Sequence, residues 1–339
     1  MSGASIPYHL RPHKAVDRRL FLDLLNRIER WSPLKDFVYA SMGAYPLEDH
    51  KLVHRLLGVT RLIAFDMDDE VVLRQNFNRP VETCRCMTKK STDLISDFDN
   101  ILSECGFADA NGAIIWLDYT NPRQLGHQIR EFESLLNKLA PGDIVRVTVN
   151  AHANDFSDPQ APGAKPPLAS EKMQTQFNNL KSRIGEFLPS SASPNDMTPE
   201  GLARTISLSF AGAALKALPV SGKNEFCPLS IIRYADGEQM LSITGIIIAR
   251  EKRQQLLENI DLASWPFSSN GWEDIHRLVV PALTLRERLF FERGIVSKTH
   301  QEMISEVGFK SAAGVAVEEF LDSYKKYYRF YPTLMAAEI

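Results

Sequence analysis

The chain has 339 residues, 44% of them hydrophobic and 24% charged, with a net charge of −3. That length allows one large domain or two ordinary ones of roughly 100–200 residues. The composition excludes disorder, collagen-like sequence and a disulfide scaffold for the bulk of the chain, and the charge argues against a strongly basic nucleic-acid clamp.

The four cysteines stand at 84, 86, 105 and 227. No pair has Cys-x-x-Cys spacing and no His pair completes a zinc set, so they read as reduced thiols of a cytoplasmic protein. Cys84 and Cys86 share one face if they lie on a strand. The opening MSGASIPYHLRPHK lacks the apolar core of a secretory signal, and no apolar run approaches the ~20 residues of a membrane span.

In chain order, Leu20, Phe21, Leu24, Leu25, Ile28 and Trp31 form one apolar stripe that predicts a helix over 17–31, stopped by Pro33. FVYASMGA (37–44) reads as a short strand running into a glycine turn. A helix over 47–57 ends at Gly58, where a helix terminus favours positive φ. RLIAFD (61–66) is a buried-type strand, 69–77 a short helix and 81–87 a third strand. GAIIWLDYT (112–120) is a continuous apolar strand; a helix through Ile129 and Leu136, a Pro141-Gly142 turn and the strand DIVRVTVNA follow. Strands separated by single helices are βαβ units, and strands apolar throughout imply a sheet covered on both faces.

Residues 152–170, with four prolines, read as a loop or lid. Helices follow over 173–188 and after Thr198-Pro199, an N-cap with proline at N1. LSIIRYA and QMLSITGIIIA flank Asp236-Gly237, the signature of a hairpin with a two-residue type I′ turn, or one extended to Glu238. The rest reads as helical, with a stripe of Tyr324, Tyr327, Tyr328 and Tyr331 that suits either a core face or a partner surface.

In an open parallel sheet, ligands bind beyond the carboxyl ends of the strands. Those ends carry Ser41 to Ala44, Asp66, Met87, Thr88, Asp118, Tyr119 and Asn150. Gly43 lets the backbone approach a ligand, or simply makes a tight turn. Asp66 can accept both hydroxyls of a ribose, whereas Asp69 and Glu70 suit a solvated, dipole-complementing first turn. Asp118, behind four apolar residues, suits a substrate amine, a base or a metal ligand, or else caps the following turn. Asn150 and His152 add oxygen and nitrogen donors near it but read more simply as loop residues. His50 and His54, at i, i+4 with no third ligand in view, read as structural.

The order of elements over residues 37–250 resembles a class I S-adenosylmethionine-dependent methyltransferase and, more narrowly, the uncharacterised bacterial O-methyltransferases. The resemblance rests on YASMGAYPLEDH as the first loop, FDMDDE after the second strand, CRCMTKKS, IIWLDY and LAPGDIVRVTV, in that order. The first loop carries Gly43 alone where the family carries Gly-x-Gly, with Ser41 and Ala44 at neighbouring positions. The resemblance implies an α/β fold: a Rossmann-like, mostly parallel seven-stranded sheet with an antiparallel C-terminal hairpin, a helical insertion and a helical C-terminal region. The implied parts are an N-terminal helical segment (1–36), a methyltransferase-like domain (37–250) with its insertion at 152–227 over or beside the crevice, and a C-terminal region (251–339).

Under the resemblance the cofactor is S-adenosylmethionine, held by Ser41, Gly43, Asp66, Met67, Met87 and Thr88. Asp118 and Tyr119 would orient or deprotonate an unidentified acceptor. No metal, membrane or nucleic acid is implied, and the C-terminal helices are the expected place for a protein partner or a second copy. Two rival readings remain at this level: a non-catalytic scaffold with a nucleotide-shaped crevice, and a dinucleotide oxidoreductase. The second is disfavoured by the missing Gly-x-Gly-x-x-Gly and by the hairpin.

Overall fold

In the computed structural model, which describes residues 11–159, 165–280, 283–307 and 317–331, the apolar runs form one sheet. Its strands are β1 (Val38–Ser41), β2 (Arg61–Asp66), β3 (Arg85–Thr88), β4 (Ala113–Asp118), β5 (Ile144–Asn150), β6 (Asn224–Asp236), β7 (Glu238–Ala249) and β8 (His276–Arg277). The order is β3-β2-β1-β4-β5-β7-β6-β8. Strands β1 to β5 are mutually parallel, and β7 lies antiparallel between β5 and β6. The sheet therefore has eight strands where seven were expected. The addition is two residues paired with Ile232 and Arg233 of β6, too short for any periodicity to reveal.

Alternation along the strands sorts side chains onto two faces. Tyr39, Leu62, Ala64, Ile114 and Trp116 enter one core, while Val38, Ala40, Ile63, Phe65, Ile115 and Leu117 enter the other. Helices α1 (Pro12–Ile28) and α2 (Glu48–Leu57) cover the first face, and α3 (Asp69–Asn78) runs along β2 and β3. Two short helices, α4 (Ser91–Ser96) and α5 (Phe98–Cys105), together with α6 (Leu125–Leu136), α7 (Ala169–Ile184) and α8 (Pro199–Ala217), cover the second. The short pair was not anticipated, because neither is long enough to display a stripe. The two insertion helices thus form a packing layer: Leu202, Ile206 and Phe210 of α8 sit in the core against Phe132 of α6.

Local signals behave as their chemistry demands. Gly58 ends α2 with φ 68°, and Thr198 Oγ1 accepts the Gly201 N–H at 3.1 Å to cap α8. The hairpin is tighter than a two-residue turn. Asp236 already pairs with Glu238, leaving Gly237, at φ 92°, alone at the apex.

The C-terminal elements are α9 (Arg253–Asn259), α10 (Leu285–Gly294), α11 (His300–Val307) and α12 (Val317–Tyr327). They close over the first core. Tyr324, Tyr327 and Tyr331 are buried among Phe291, Phe320 and one another, so this stripe is core and not a partner surface. Tyr327 satisfies its hydroxyl by donating to the Val279 carbonyl at 2.6 Å.

Helix α1 starts at Pro12, ahead of its apolar stripe, because charged residues continue the same face. Asp17 forms a fully buried ion pair with Arg146 of β5, which also donates to Thr244 at 2.6 Å and stacks against Phe21 and Trp116. The C-terminal region holds α1 from outside. His13 accepts the Val280 N–H at 2.9 Å, and Arg19 donates to the Phe330 and Tyr331 carbonyls at 3.1 and 3.0 Å. Among the described residues, no helix is long and apolar enough to cross a membrane.

Candidate functional site

From β1 the chain steps through β2 to β3 on one side, and from β4 to β5 on the other. The reversal between β1 and β4 leaves a crevice at their carboxyl ends, because no connection crosses it. Six residues line a small recess there: Arg18, Ser41, Gly43, Asp49, Trp116 and Asp118. Among the described residues the 152–227 insertion, expected over or beside the crevice, contributes none of these six, while α1 contributes Arg18.

The loop after β1 is built from left-handed residues. Gly43 has φ 63°, Ala44 45° and Leu47 52°. A Cβ on Gly43 would lie 2.7 Å from His50 Cε1 and 2.8 Å from Leu47 Cδ2. Glycine is therefore required twice over, for conformation and for space. Ala44 and Leu47 hold an unfavourable conformation costing on the order of 1–3 kcal/mol each. Helix α3 offsets that strain: Gln75 Nε2 donates to the Met42 and Ala44 carbonyls at 2.9 and 3.2 Å, and Asn78 donates to the Tyr45 carbonyl at 3.1 Å. The Arg74 guanidinium lies 3.5 Å from the centre of the Tyr45 ring.

Beneath the loop is a buried polar cluster. Asp49, in the first turn of α2, accepts hydrogen bonds from Tyr39 Oη at 2.6 Å and from Ser41 Oγ, with His50 Nδ1 3.4 Å from its other oxygen. His50 Nε2 donates to the Ile63 carbonyl at 2.9 Å, which fixes the proton on that nitrogen. Burial alone would raise the Asp49 carboxyl; the charge and hydrogen bond of His50, the Arg18 charge and the Ser41 hydroxyl overcome it and hold Asp49 well below the usual carboxylate range. Burial would lower His50, but Asp49 reverses this and raises it.

Asp66, at the end of β2, is half-buried, and burial raises its carboxyl despite the Asp68 N–H it accepts at 3.0 Å. Its register partner across the sheet is Thr88, with Met87 beside Phe65, so these residues form one strip along the sheet end. Met67 is 69% exposed next to it. Thr88 spends its hydroxyl on Asp69, at 2.6 Å.

Asp118, at the end of β4, faces the same side as Ser41 and Asp66. Its Oδ2 is 2.6 Å from Lys14 Nζ, and its Oδ1 is buried with no hydrogen-bond partner among the described residues. Tyr119 points the opposite way. It is buried in the second core, and its hydroxyl is bonded to Glu131, which also accepts from Ser91 and Thr92. Burial and Glu131 raise the phenol well above its ordinary value. The structure thus separates the pair read together from the sequence: strand alternation sends consecutive residues to opposite faces.

Asn150 is occupied by Glu238 and the His152 N–H, each at 2.8 Å, and His54 bonds to the Val59 carbonyl at the end of its helix. Among the described residues no group of three or more His, Cys, Asp or Glu side chains is arranged to hold a metal. A hydrogen bond between the thiols, more than burial, pushes Cys84 up, and the same bond pulls Cys86 down.

Sequence reading missed Lys14, Arg18, Asp49 and Trp116. A signal was present for the first two. Lys14, Asp17 and Arg18 continue the inward stripe of Phe21, Leu24 and Leu25 at helical spacing, and a charge on an inward stripe demands a buried partner.

Solved structures resemble this one distantly. Fibrillarin, a pre-rRNA processing protein of Methanococcus jannaschii, gives a TM-score of 0.34 at 9% identity, covering 64% of this chain and 70% of that one. A SAM-dependent methyltransferase from Anabaena variabilis gives 0.38 at 10% identity, over 70% and 87%. A variant of LepI, solved in complex with SAH and a substrate analogue, gives 0.34 at 10% identity; the match spans 64% of this chain and 44% of LepI. No curated protein matches the sequence significantly. The profile of the family described as "Putative O-methyltransferase" matches residues 6–339, so nearly the whole sequence, sheet, insertion and C-terminal helices together, belongs to that O-methyltransferase family.

Proposed function

We propose that the chain transfers a methyl group from S-adenosylmethionine to an oxygen of its acceptor. The observation that carries this reading is the crevice at the β1/β4 reversal, which combines a left-handed glycine loop with acids at the ends of β2 and β4. The residues fit such a cofactor. The space a Gly43 Cβ would fill keeps the backbone approachable. Asp118 Oδ1 is a buried acceptor with no partner among the described residues, and a molecule bearing a donor would satisfy it.

Bound there, the cofactor would supply a sulfonium methyl group for an acceptor oxygen, the C–S electron pair staying with the thioether and the acceptor's proton leaving to solvent or a nearby base. The protein's part is alignment and charge placement. Asp66 accepts the ribose hydroxyls, with one carboxylate oxygen already fixed by the Asp68 N–H. Met67, Met87 and Thr88, on the same strip of the sheet end, would flank the base. Ser41 and Gly43 contact the cofactor through the loop that Gln75 holds in shape. Asp118 binds a donor group at the β4 end; Tyr119, whose hydroxyl belongs to Glu131, serves the core behind it. The free thiols Cys84, Cys86, Cys105 and Cys227 suit a reducing compartment such as the cytoplasm.

The test is calorimetric titration with S-adenosylmethionine and S-adenosylhomocysteine. Micromolar binding, weakened at least about tenfold by Asp66→Ala, is expected. No binding of either at millimolar ligand would sink the reading in favour of a non-catalytic scaffold, and nicotinamide dinucleotide binding instead would favour an oxidoreductase.

A further inference from the structure

We propose that Lys14 is a built-in competitor for the cofactor: its ammonium sits on Asp118 where the cofactor's α-ammonium binds, and the first turn of α1 withdraws when the cofactor loads. The proposal rests on the methyltransferase reading above and assigns the aminoacyl end of the ligand to the crevice under α1.

Three observations lead there. Asp118 already binds an ammonium, at 2.6 Å, with the side chains of Lys14 and Asp118 only 7% and 18% exposed. The recess as it stands has room for about one water molecule, far less than a small organic ligand needs. Its other walls are strand ends, the loop pinned by α3 and Asp49 of α2, which Tyr39 and Ser41 hold in place, so α1, which contributes Arg18, is the wall least tied to the sheet end.

The third observation is a division within α1. From Asp17 onward the helix is fixed by the buried pair with Arg146 and by Leu20, Phe21, Leu24 and Leu25 in the core. Ahead of it Val16 is the core side chain, while Pro12, His13 and Ala15 are half-buried, and the contacts of this turn include Lys14 to Asp118 and His13 to Val280. Unwinding this turn gives up about one backbone bond per residue, as the Ala15 N–H to Arg11 carbonyl bond at 3.0 Å illustrates, and at a helix end water can take over the groups released.

The charge count also closes. Asp118 keeps one cationic partner in both states, so no bare carboxylate is left in the crevice, and the displaced ammonium moves to water. A resident competitor of this kind reduces apparent affinity by the fraction of molecules that are open.

The experiment compares S-adenosylhomocysteine with 5′-methylthioadenosine, which has the same nucleoside and thioether and lacks the amino-acid arm. Calorimetry on the full chain is expected to show Lys14→Met binding S-adenosylhomocysteine about tenfold tighter than wild type, with the affinity for 5′-methylthioadenosine unchanged. In wild-type protein, amine acetylation read by mass spectrometry is expected to reach Lys14 faster when S-adenosylhomocysteine is bound and not when 5′-methylthioadenosine is. Weaker or unchanged binding by Lys14→Met, or protection of Lys14 by S-adenosylhomocysteine, while 5′-methylthioadenosine still binds, overturns the competitor and leaves the cofactor reading standing. If neither ligand binds wild type or variant, both fall.

Discussion

Asp17 of α1 and Arg146 of β5 form an ion pair from which water is excluded, with the Arg146 guanidinium packed against the rings of both Phe21 and Trp116. Removing one partner leaves the other charged and uncompensated. Asp17→Ala is expected to cost about 3–5 kcal/mol in urea unfolding. The double change Asp17→Leu with Arg146→Met is expected to recover most of it, since an apolar pair carries no desolvation penalty. A double variant no more stable than the single would show that the pair is not the main link.

Gly43→Ala places a methyl group against His50 and Leu47 in a left-handed conformation. A loss of about 1–3 kcal/mol is expected, with loss of cofactor binding. Gly212→Ala is the control. That glycine is exposed on α8, with nothing within 4 Å of the added carbon, so a gain of about 0.5–1 kcal/mol is expected. Thermal melts of the two variants should move in opposite directions.

The buried pair Asp49–His50 makes stability depend on pH. His50 is raised above its ordinary value of 6.5 in the folded chain. Its contribution is therefore complete below about 6.5 and is lost as pH rises through the raised value. Asp49 is depressed from 3.8, so its contribution is present above that value and is lost as pH falls. Unfolding free energy measured from pH 5 to pH 9 is expected to decline on the alkaline side in wild type. His50→Gln should flatten that decline; an equally steep decline in the variant would assign it to other groups.

Tyr119→Phe separates core from chemistry. The change deprives the buried Glu131 of one donor while Ser91 and Thr92 remain. A cost of roughly 1–3 kcal/mol is expected, with S-adenosylhomocysteine affinity unchanged by calorimetry. A large loss of affinity at wild-type stability would return Tyr119 to the site.

The sheet was legible because its strands are apolar throughout and its turns carry Gly58, Gly142 and Asp236-Gly237. So were the acids at strand ends, since Asp66 and Asp118 each interrupt an apolar run. Side-chain direction at a strand end was less legible: Asp118 and Tyr119 are adjacent in sequence and opposed in space. Elements shorter than a helical or strand period, such as β8 and the pair α4 and α5, leave no repeat to detect. The insertion expected over or beside the crevice drew attention to a proline-rich loop and away from α1, which contributes Arg18 to the recess. The charges that tie α1 to the sheet lie on its inward stripe, where their meaning depends on partners more than a hundred residues away.

The bonds from Arg19 to the Phe330 and Tyr331 carbonyls span sequence separations of 311 and 312. During synthesis, at about 5–20 residues per second, α1 emerges early and waits for nearly the whole chain before this clasp can close. Until then the outer side of α1 and the cavity for the buried tyrosines stay open to solvent, an interval in which a chaperone has apolar surface to hold. Such long-range closure belongs to the slow end of folding, and nascent chains stalled before residue 330 should be far more susceptible to protease at α1 than the released protein.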